Sequence, residues 1–395
     1  MRKWSSNQQC SLVRSPDLAP NLYSPAAMSV TDPKLGWWRR EGSAKRGFRY
    51  VGLNGRPLTS ARALERIRAL VIPPAWTDVH ISPDADRKVQ VWGYDQAGRR
   101  QYRYSAAHVV RGDRRKWKRL LRVGLALPRL REVTNEHLKR PVLDREKVLA
   151  TVVRLMARAH FRAGSERYAV ENRTFGICTL RKKNVRVEGD SLIFTYVGKR
   201  RKDQRQVVAD TPLVDILHEL MALPGPRLFQ YMAEDESGRK VRRPVTAAAV
   251  NRYLREVLGE RITSKDLRTF GGTVRASTIL ADLGPPKGGR DATRNVVLAT
   301  KLVAHDLGNT PAIARKAYIH PAVLEEYERA GRTVADVRVP RSGEMAAVAK
   351  RAARKVPRGK APKRDRRRRE RVSTVERVGL YPEEIALLGF LERYG

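Results

Sequence analysis

The chain has 395 residues, of which 41% are hydrophobic, and this is enough for two packed domains. It carries 81 Lys and Arg against 41 Asp and Glu, and the formal net charge of +40 indicates a polyanionic partner. An anionic membrane is disfavoured, because no apolar run approaches the ~18 residues of a membrane span and no secretory segment follows Met1. The composition therefore predicts a cytoplasmic protein that binds DNA or RNA.

The first 40 residues mix Ser, Asn and Pro without periodicity, which predicts a disordered leader over 1–40. This leader contains Cys10, one of only two cysteines in the chain. The other, Cys178, is distant in sequence, so the pair fits a reducing compartment and excludes a zinc knuckle. Both cysteines are interpreted as structural.

A small β-rich domain is predicted over residues 41–125. Short alternating runs such as GFRY, VQVWGY and RQYRY are separated by turn residues, and the last two flank a hairpin turn at Asp95–Gly98. After these strands, Asp113 is a candidate N-cap for a basic helix over Arg111–Arg122. This helix would link the first domain to the second.

A larger second domain is predicted over residues 126–340. A helix with one apolar face begins near Asp144 and is expected to end at Gly164. Four strand-like runs follow and predict an antiparallel sheet of three or four strands: 175–180, 184–187, 192–197 and 206–209. From Pro212 to about Arg332 the apolar periodicity is helical.

The last segment, 341–395, is predicted as a basic C-terminal tail. Within it, residues 350–371 hold 13 Lys and Arg against two acidic residues, a net charge of +11 that is typical of a solvated arm. Such an arm binds phosphates without specificity. Removal of residues 341–395 is therefore expected mainly to weaken the affinity for nucleic acid and the salt dependence of that affinity. The apolar stretch Ile385–Leu391 is a candidate docking helix.

These elements predict an α+β protein with a small β-rich N-terminal domain and a larger, mainly α-helical domain that carries a small antiparallel sheet. No cofactor is expected, because the chain lacks a GxxxxGK[ST] phosphate loop, an HExxH motif and a Cys/His cluster. Asp84 and Asp86 form a DxD pair of the kind that holds Mg²⁺. Their Pro- and Ser-containing turn has no further acidic neighbour and is interpreted as a solvated loop.

Phosphoryl transfer without a metal needs cations, a nucleophile and an acid, for which Arg, Tyr and Lys are suitable. Five segments supply them in order: GRRQYRY (98–104), HFRAG (160–164), FTYVGKRRK (194–202), KDLRTFGG (265–272) and LGNTPAIARKAYIHP (307–321). In order and spacing, these segments resemble the type IB DNA topoisomerases, in particular the poxvirus and bacterial branch. The resemblance covers about residues 45–335 and implies a catalytic domain of the kind shared by type IB topoisomerases and tyrosine recombinases.

The resemblance implies roles for four residues. Arg162 and Arg268 would grip the nonbridging oxygens of the scissile phosphate, a task that suits bidentate guanidinium groups. Tyr318 would attack phosphorus and leave a 3′-phosphotyrosyl DNA strand with a free 5′ hydroxyl. Lys199 would protonate the departing 5′ oxygen.

The local sequence around two of these residues is informative. Lys199 lies in a predicted tip between two strands, where Lys202 and Arg200 are alternative candidates for its role. Tyr318 lies in a predicted short helix whose start is marked by Gly308, Thr310 and Pro311.

Asn309 is the position where the chain departs from the poxvirus pattern, in which LGHTP supplies a histidine. The bacterial members that this chain resembles look able to carry Asn at this position. An amide donates a hydrogen bond to a nonbridging oxygen but holds no titratable proton, so Asn309 is expected to stabilise the oxyanion without acid–base work. His305, four residues earlier, is a weaker substitute, and His320 is interpreted as structural.

The resemblance also implies contacts to DNA outside the reacting centre. The strand with Arg100, Gln101, Tyr102 and Tyr104 matches a family strand that reads the major groove. The expectation is that Tyr102 and Tyr104 share one face of this strand and that Arg100 lies on the other. Lys265, at the start of KDLRTFGG, is a further expected contact. The alternative is a half-buried strand that does not contact DNA.

The combined prediction is a nucleoid-associated monomer that clamps double-stranded DNA, cuts one strand, lets it rotate and religates it, without ATP or metal. A tyrosine recombinase is an alternative, since its catalytic set also uses two Arg, a Lys and a Tyr. A noncatalytic chromatin-type binder would explain the charge equally well. Relaxation of plain plasmid in a chelator separates the topoisomerase from the recombinase, and Tyr318→Phe separates both from the binder.

Overall fold

The computed structural model describes residues 36–259, 261–336, 376 and 378–395. The chain forms two compact units that divide between Gly112 and Asp113. Most of the predicted leader, with Cys10, and residues 341–375 of the predicted tail lie outside the described residues. None of the helices in the described ranges is long and apolar enough to cross a membrane.

The N-terminal unit is built on a five-stranded antiparallel sheet with the strand order β2-β1-β3-β4-β5. Its strands are β1 (Trp38–Ser43), β2 (Gly47–Val51), β3 (Thr77–Ile81), β4 (Val89–Tyr94) and β5 (Arg100–Tyr104). The helix α1 (Ala61–Ala69) begins at Ser60, whose hydroxyl accepts from the backbone N–H of Ala63. One side of α1 joins the sheet in a small core through the buried Ile67.

Two features of this unit bear on the sequence analysis. The hairpin at Asp95–Gly98 is present, with Trp92 on β4 opposite Tyr102 on β5. Strand β1 starts inside the segment predicted as a leader, because Trp38 pairs with Ile81 at the edge of β3. Short alternating runs between turn residues identified β2, β4 and β5, whereas β1 has no clear alternation in its burial.

A single helix of 33 residues, α2 (Ala106–Leu138), runs from the first unit into the second. The structure differs here from the predicted helix at Arg111–Arg122 and from the predicted boundary at residue 125. Neither Asp113 nor Pro128 interrupts the helix. The reason is tertiary: Leu120, Val123, Leu127 and Leu130 are buried in the core of the second unit, and this packing outweighs local helix signals.

The second unit continues with α3 (Arg145–Ala159), which begins at Asp144 as the sequence predicts. The Asp144 carboxylate accepts from the backbone N–H of Lys147 at 2.9 Å. The helix ends at His160, which has a left-handed backbone with φ of 53°, and not at Gly164. A short helix, α4 (Glu166–Glu171), follows.

The small antiparallel sheet of the second unit has three strands in the order β6-β7-β8. They are β6 (Val185–Glu188), β7 (Ser191–Val197) and β8 (Asp203–Ala209). The run 175–180 is not a fourth strand, because it contains a 3₁₀ turn, Ile177–Thr179. This turn donates backbone hydrogen bonds to the segment after α3, with Ile177 N 2.8 Å from the carbonyl oxygen of Arg162.

Helices form most of the remainder, as the periodicity predicts. They are α5 (Thr211–Ala222), α6 (Ala247–Leu258), α7 (Ser264–Leu283), α8 (Gly289–Asp306), α9 (Pro311–Tyr318) and α10 (Pro321–Ala330). A hairpin of β9 (Gln230–Glu234) and β10 (Lys240–Pro244) interrupts them and was not predicted. Its strands are polar and largely exposed, so they have no clear alternation of apolar and polar residues.

A last helix, α11 (Pro382–Tyr394), packs into the core of the second unit. Its apolar face contains Leu387, Leu388, Phe390 and Leu391, each at most 2% exposed. Leu388 fits against Gly124 of α2: a methyl group at residue 124 would come 2.5 Å from the Leu388 side chain and 2.8 Å from Phe270. The helix therefore occupies a groove that α2 provides for it.

Buried ion pairs hold the same segment in place. Glu384 of α11 accepts from Arg131 of α2 at 2.6 Å, and the carbonyl oxygen of Glu376 accepts from Asn135 at 2.8 Å. Residues 376–395 thus belong to the packed second unit, and the docking helix predicted at Ile385–Leu391 is confirmed. Deletion of 341–395 is therefore expected to remove core contacts as well as the basic segment.

Leu388→Ala is expected to lower the free energy of unfolding of the second unit by about 2–5 kcal/mol, since truncation of a buried leucine removes apolar contacts and leaves a cavity. Urea denaturation followed by far-UV circular dichroism measures the change. The control is Glu392→Ala on the exposed side of α11, which should stay within ~0.5 kcal/mol of wild type. Equal stability of the two variants would contradict a packed role for α11.

Candidate functional site

A cleft lined mainly by charged and polar residues opens on the second unit. Four residues singled out in the sequence line it: Arg162, Lys199, Asn309 and Tyr318. The fifth, Arg268, lies next to them with its guanidinium carbon 5.3 Å from the centre of the Tyr318 ring. The fold therefore gathers all five predicted residues from separate elements into one place.

Arg162 follows the end of α3, and contacts on both sides of it fix its backbone beside the cleft. Phe161 is buried against Phe194 of β7, with the ring centres 5.0 Å apart. The carbonyl oxygen of Arg162 accepts from the backbone of Ile177. With its backbone fixed on both sides, Arg162 donates from its guanidinium to the side-chain oxygen of Asn309.

Lys199 lies in the tight connection between β7 and β8, which forms a short 3₁₀ turn. Its side chain is exposed and lines the cleft. The alternatives Arg200 and Lys202 line the same cleft, and the ammonium of Lys202 is 3.4 Å from the carbonyl oxygen of Asn309. Three cationic side chains from one hairpin tip thus face the space beside Tyr318.

Arg268 projects from α7 and is only 4% exposed. Its guanidinium donates to the carbonyl oxygens of His160 and Leu307, the residues that end α3 and α8. The last carbonyl groups of a helix have no partner within the helix. Arg268 satisfies two of them at once, and so it connects the ends of both helices beside the cleft.

The charges in the site repel one another. Burial, followed by the positive charge of Arg162, lowers the pKa of Arg268 to about 10, whereas the Tyr318 phenol acts in the opposite direction. Arg268 still carries its charge at neutral pH. A cleft of this kind favours an anion, because a negative group would relieve the repulsion and the cost of burial together.

Tyr318 is the last residue of α9, and the sequence signals for this helix are confirmed. The Thr310 hydroxyl accepts from the backbone N–H of Ile313 at 3.4 Å, and Pro311 occupies the first position. The preceding helix ends at Asp306, and Gly308 lies in the turn between them. The phenol is therefore held by a short helix that begins at the edge of the cleft.

The glycine and threonine residues of KDLRTFGGT support this arrangement. A side chain at Gly271 would overlap the ring of His160, which packs directly on α7. Thr273, two residues further along, donates to the carbonyl oxygen of Tyr318 at 3.2 Å and accepts from the backbone N–H of His320. One helix, α7, thus supplies Arg268 and also anchors the backbone that carries Tyr318.

Asn309 has one satisfied and one unsatisfied group. Its side-chain oxygen accepts from Arg162, whereas its side-chain nitrogen is buried without a partner among the described residues. A buried donor without an acceptor is costly, and such groups call for an explanation such as a ligand. This amide is suited to donate to an anion that enters the cleft.

The two histidines considered in the sequence analysis have different surroundings. The His305 side chain is 89% exposed beside Asp306 and does not line the cleft. His320 is buried, and its ring accepts from the backbone N–H of Ala322 at the start of α10. Burial, followed by the charge of Lys116, lowers the pKa of His320 to about 4. It is therefore neutral at physiological pH and acts as a helix cap.

Sequence reasoning missed several supporting residues. Burial raises the pKa of Tyr196 to about 12 despite the nearby Arg268 and Arg162, so this phenol stays neutral next to the cleft. Gln204 on β8 packs against Gly198 and Gly308, and thereby connects the Lys199 turn to the Asn309 turn. No sequence signal identifies these contacts, because they depend on how distant turns meet.

The N-terminal residues expected to contact DNA lie on β5. Tyr102 and Tyr104 are 42% and 44% exposed, with their ring centres 6.1 Å apart on one face. Arg100 is on this same face, over the Trp92 ring at 3.9 Å, because residues two apart share a face. Its expected place on the other face is wrong. Gln101 donates to the carboxylate of Asp95 at 2.9 Å.

The described residues contain no group of three or more His, Cys, Asp and Glu arranged to hold a metal ion. The cleft instead combines one phenol, three guanidinium groups, two ammonium groups and an amide donor. Such a set can stabilise the charge that develops at phosphorus while an oxygen nucleophile attacks it. Lys265, the remaining predicted residue, is exposed on the first turn of α7.

Comparison with known proteins agrees with this chemistry. The family model described as "Eukaryotic DNA topoisomerase I, catalytic core" matches residues 105–338, and "Bacterial DNA topoisomerase IB, N-terminal domain" matches residues 47–95. DNA topoisomerase 1B of Acanthamoeba polyphaga mimivirus is 31% identical over 292 residues, which cover 73% of this chain and 87% of that protein. DNA topoisomerase 1B of vaccinia virus (strain Copenhagen) is 27% identical over 279 residues, which cover 67% and 81%.

A XerH site-specific recombinase solved with its difH substrate has 15% sequence identity and a TM-score of 0.30, over 51% of this chain and 53% of that one. This similarity is too weak to support a conclusion. The match to the catalytic core alone spans more than half of the chain, and the viral relative matches over most of its own length. The chain therefore belongs to the type IB DNA topoisomerase family.

Proposed function

We propose that this protein relaxes supercoiled double-stranded DNA by cutting one strand through a transient covalent bond to Tyr318 and resealing it after rotation. The observation that carries the proposal is the convergence of Arg162, Lys199, Asn309 and Tyr318 on one cleft, with Arg268 beside them. Membership of the type IB family supports it. The net charge of +40 fits a double-stranded DNA substrate.

Cleavage begins with attack of the Tyr318 oxygen on the scissile phosphorus. The new bond is a 3′-phosphotyrosyl ester, and the bond from phosphorus to the 5′ oxygen breaks. Arg162 and Arg268 neutralise the nonbridging oxygens as charge builds up on them, and the phenol proton passes to solvent water as the new bond forms. The amide of Asn309 donates to one of these oxygens, which gives its buried nitrogen a partner.

Lys199 gives a proton to the departing 5′ oxygen. An ammonium is a much stronger acid than a sugar hydroxyl, so it can protonate the leaving alkoxide as the bond breaks. Its place at an exposed hairpin tip suits a side chain that reaches the DNA backbone. Religation follows the same path in reverse: the 5′ hydroxyl returns its proton to Lys199 and attacks the phosphotyrosyl phosphorus.

The reaction exchanges one phosphodiester for another, so the covalent step needs no ATP, and the cations of the cleft take the part that a metal has in other phosphoryl transfers. Torsional strain in the DNA drives rotation of the free end. We infer that one monomer is sufficient, since the proposed catalytic residues all belong to one unit of one chain. The exposed Tyr102 and Tyr104, with Arg100, Gln101 and Lys265, are proposed as further DNA contacts.

Tyr318→Phe is expected to bind DNA with nearly wild-type affinity and to form no covalent adduct, because phenylalanine keeps the ring beside Arg268 but lacks the attacking oxygen. Denaturing gel electrophoresis of labelled DNA after quenching detects the adduct. Tyr231→Phe, which removes a hydroxyl on β9 that does not line the cleft, is the control and should form adduct normally. Trapped adduct in the Tyr318→Phe variant would refute the assignment of the nucleophile.

The wild-type protein is expected to relax positively and negatively supercoiled plasmids in EDTA without nucleotide, because the residues of the cleft supply the charge stabilisation. Agarose gels that resolve topoisomers measure this. A recombinase would instead need a defined target sequence and synapsis of two sites. Failure on plain plasmid, or activity that returns only with Mg²⁺, would contradict the proposed function.

Asn309→Asp is expected to lower the cleavage rate at saturating DNA by about 10²–10³-fold, because a carboxylate replaces the donor and repels the phosphate. Asn309→His keeps a ring N–H donor and is expected to be much less impaired. Single-turnover formation of adduct measures both variants. Equal rates for the two would show that Asn309 does not donate to the reacting phosphate.

A further inference from the structure

The backbone at the end of α9 is where the position of Tyr318 is set. The last four carbonyl groups of a helix lack partners within it, and α9 has only eight residues, so its last turn is easily frayed. Two side chains from other elements satisfy carbonyls in this turn. Thr273 of α7 donates to the carbonyl oxygen of Tyr318, and Lys116 of α2 donates to that of Lys316, both at 3.2 Å.

Lys116 is held in place by its neighbour on α2. Its ammonium lies 3.5 Å from the centre of the Trp117 ring. Trp117 in turn packs edge-on against His320, two residues after Tyr318, with ring centres 4.9 Å apart. Adjacent residues of α2 therefore contact the chain on both sides of Tyr318, one before it and one after it.

The charges around Lys116 come from every element that packs on it. Asp113 of α2 and Asp266 of α7 attract its ammonium, whereas Lys265 of α7 and Lys316 of α9 repel it. Burial is the largest influence and lowers the pKa of Lys116 to about 8. The Lys116 ammonium is thus half-buried near two other lysines, whereas a surface lysine normally keeps its ammonium in water.

We propose that Lys116 is a positioning residue, which closes the C-terminal end of α9 and thereby holds the Tyr318 oxygen in line with the scissile phosphate. The proposal rests on the proposed function, since it assumes that Tyr318 is the nucleophile. A cation at the end of a helix interacts favourably with the helix dipole as well as with the free carbonyl. Lys116 acts through the backbone and does not touch the reacting atoms.

Lys116→Met tests this idea, because methionine keeps most of the side chain but cannot donate. The rate of adduct formation at saturating DNA is expected to fall by about ten- to a hundredfold. A displacement of the reacting atoms by up to ~1 Å has an effect of this size. The matched control is Lys118→Met on the exposed side of the same turn of α2, which removes the same charge. Its rate at saturation should equal that of wild type.

The measured quantities separate positioning from contact with DNA. If Lys116 positions Tyr318, Lys116→Met and Lys118→Met have similar affinities, and only the first is slow at saturating DNA. If Lys116 instead binds a phosphate, its variant regains the wild-type rate at saturation, and the slope of log affinity against log salt becomes shallower by about 0.9. That second result would overturn the proposal.

Lys116→Arg and thermal denaturation address the possibility that Lys116→Met is unstable. Arginine restores a charged donor to the same carbonyl, so this variant is expected to stay within about threefold of the wild-type rate, a difference of only ~0.7 kcal/mol in barrier. If Lys116→Arg is folded but forms adduct as slowly as Lys116→Met, more than about tenfold below wild type, the proposal is refuted.

Wild type and Tyr318→Phe are measured in the same assay. No adduct with wild type would refute the proposed function, and the inference on Lys116 with it. Normal adduct with wild type and an unchanged rate for Lys116→Met would refute only the inference.

Discussion

The burial of one charged side chain, Arg268, is the constraint on which the site depends. Its guanidinium is almost fully enclosed and is kept there by carbonyl oxygens at the ends of α3 and α8. Both of these ends lead directly into the cleft, one through Arg162 and the other through Asn309. A buried guanidinium needs its partners in fixed positions. The same interaction that satisfies Arg268 therefore sets the starting points of the two turns that face the phosphate.

The surrounding structure is organised so that these turns cannot shift independently. Helix α7 carries Arg268, leaves room for His160 at Gly271, and holds the Tyr318 backbone through Thr273. Behind it, α2 and α11 close the core with Leu388 and the Arg131–Glu384 pair. The terminal helix is thus a structural part of the unit that contains the cleft, even though the chain reaches it through a strongly basic segment.

Polar groups near the cleft divide into those that are neutral and those that are charged. His160 and His320 both have a pKa of about 4, mainly because of burial, and Tyr196 has one of about 12, so none of them changes charge near neutral pH. The cations at the cleft remain without carboxylate partners among the residues that line it. The site is consequently a fixed positive cavity, which is the condition for stabilising a phosphate in a transition state with little reorganisation.

The sequence by itself determined the fold class, the helix starts at Asp144 and Thr310, the β4–β5 hairpin and the five residues that meet at the cleft. These features depend on short segments, in which capping, period-two alternation and motif spacing act over a few residues. Tertiary structure alone decided the length of α2 and the end of α3 at His160, since burial against distant residues outweighed local signals there. It also decided the β9–β10 hairpin, whose largely exposed strands lack a clear alternation, and the groove on α2 in which α11 docks. It also decided which residues support the site: Lys116, Gln204 and Thr273 act on backbone that lies far away in sequence, and no local pattern records such contacts.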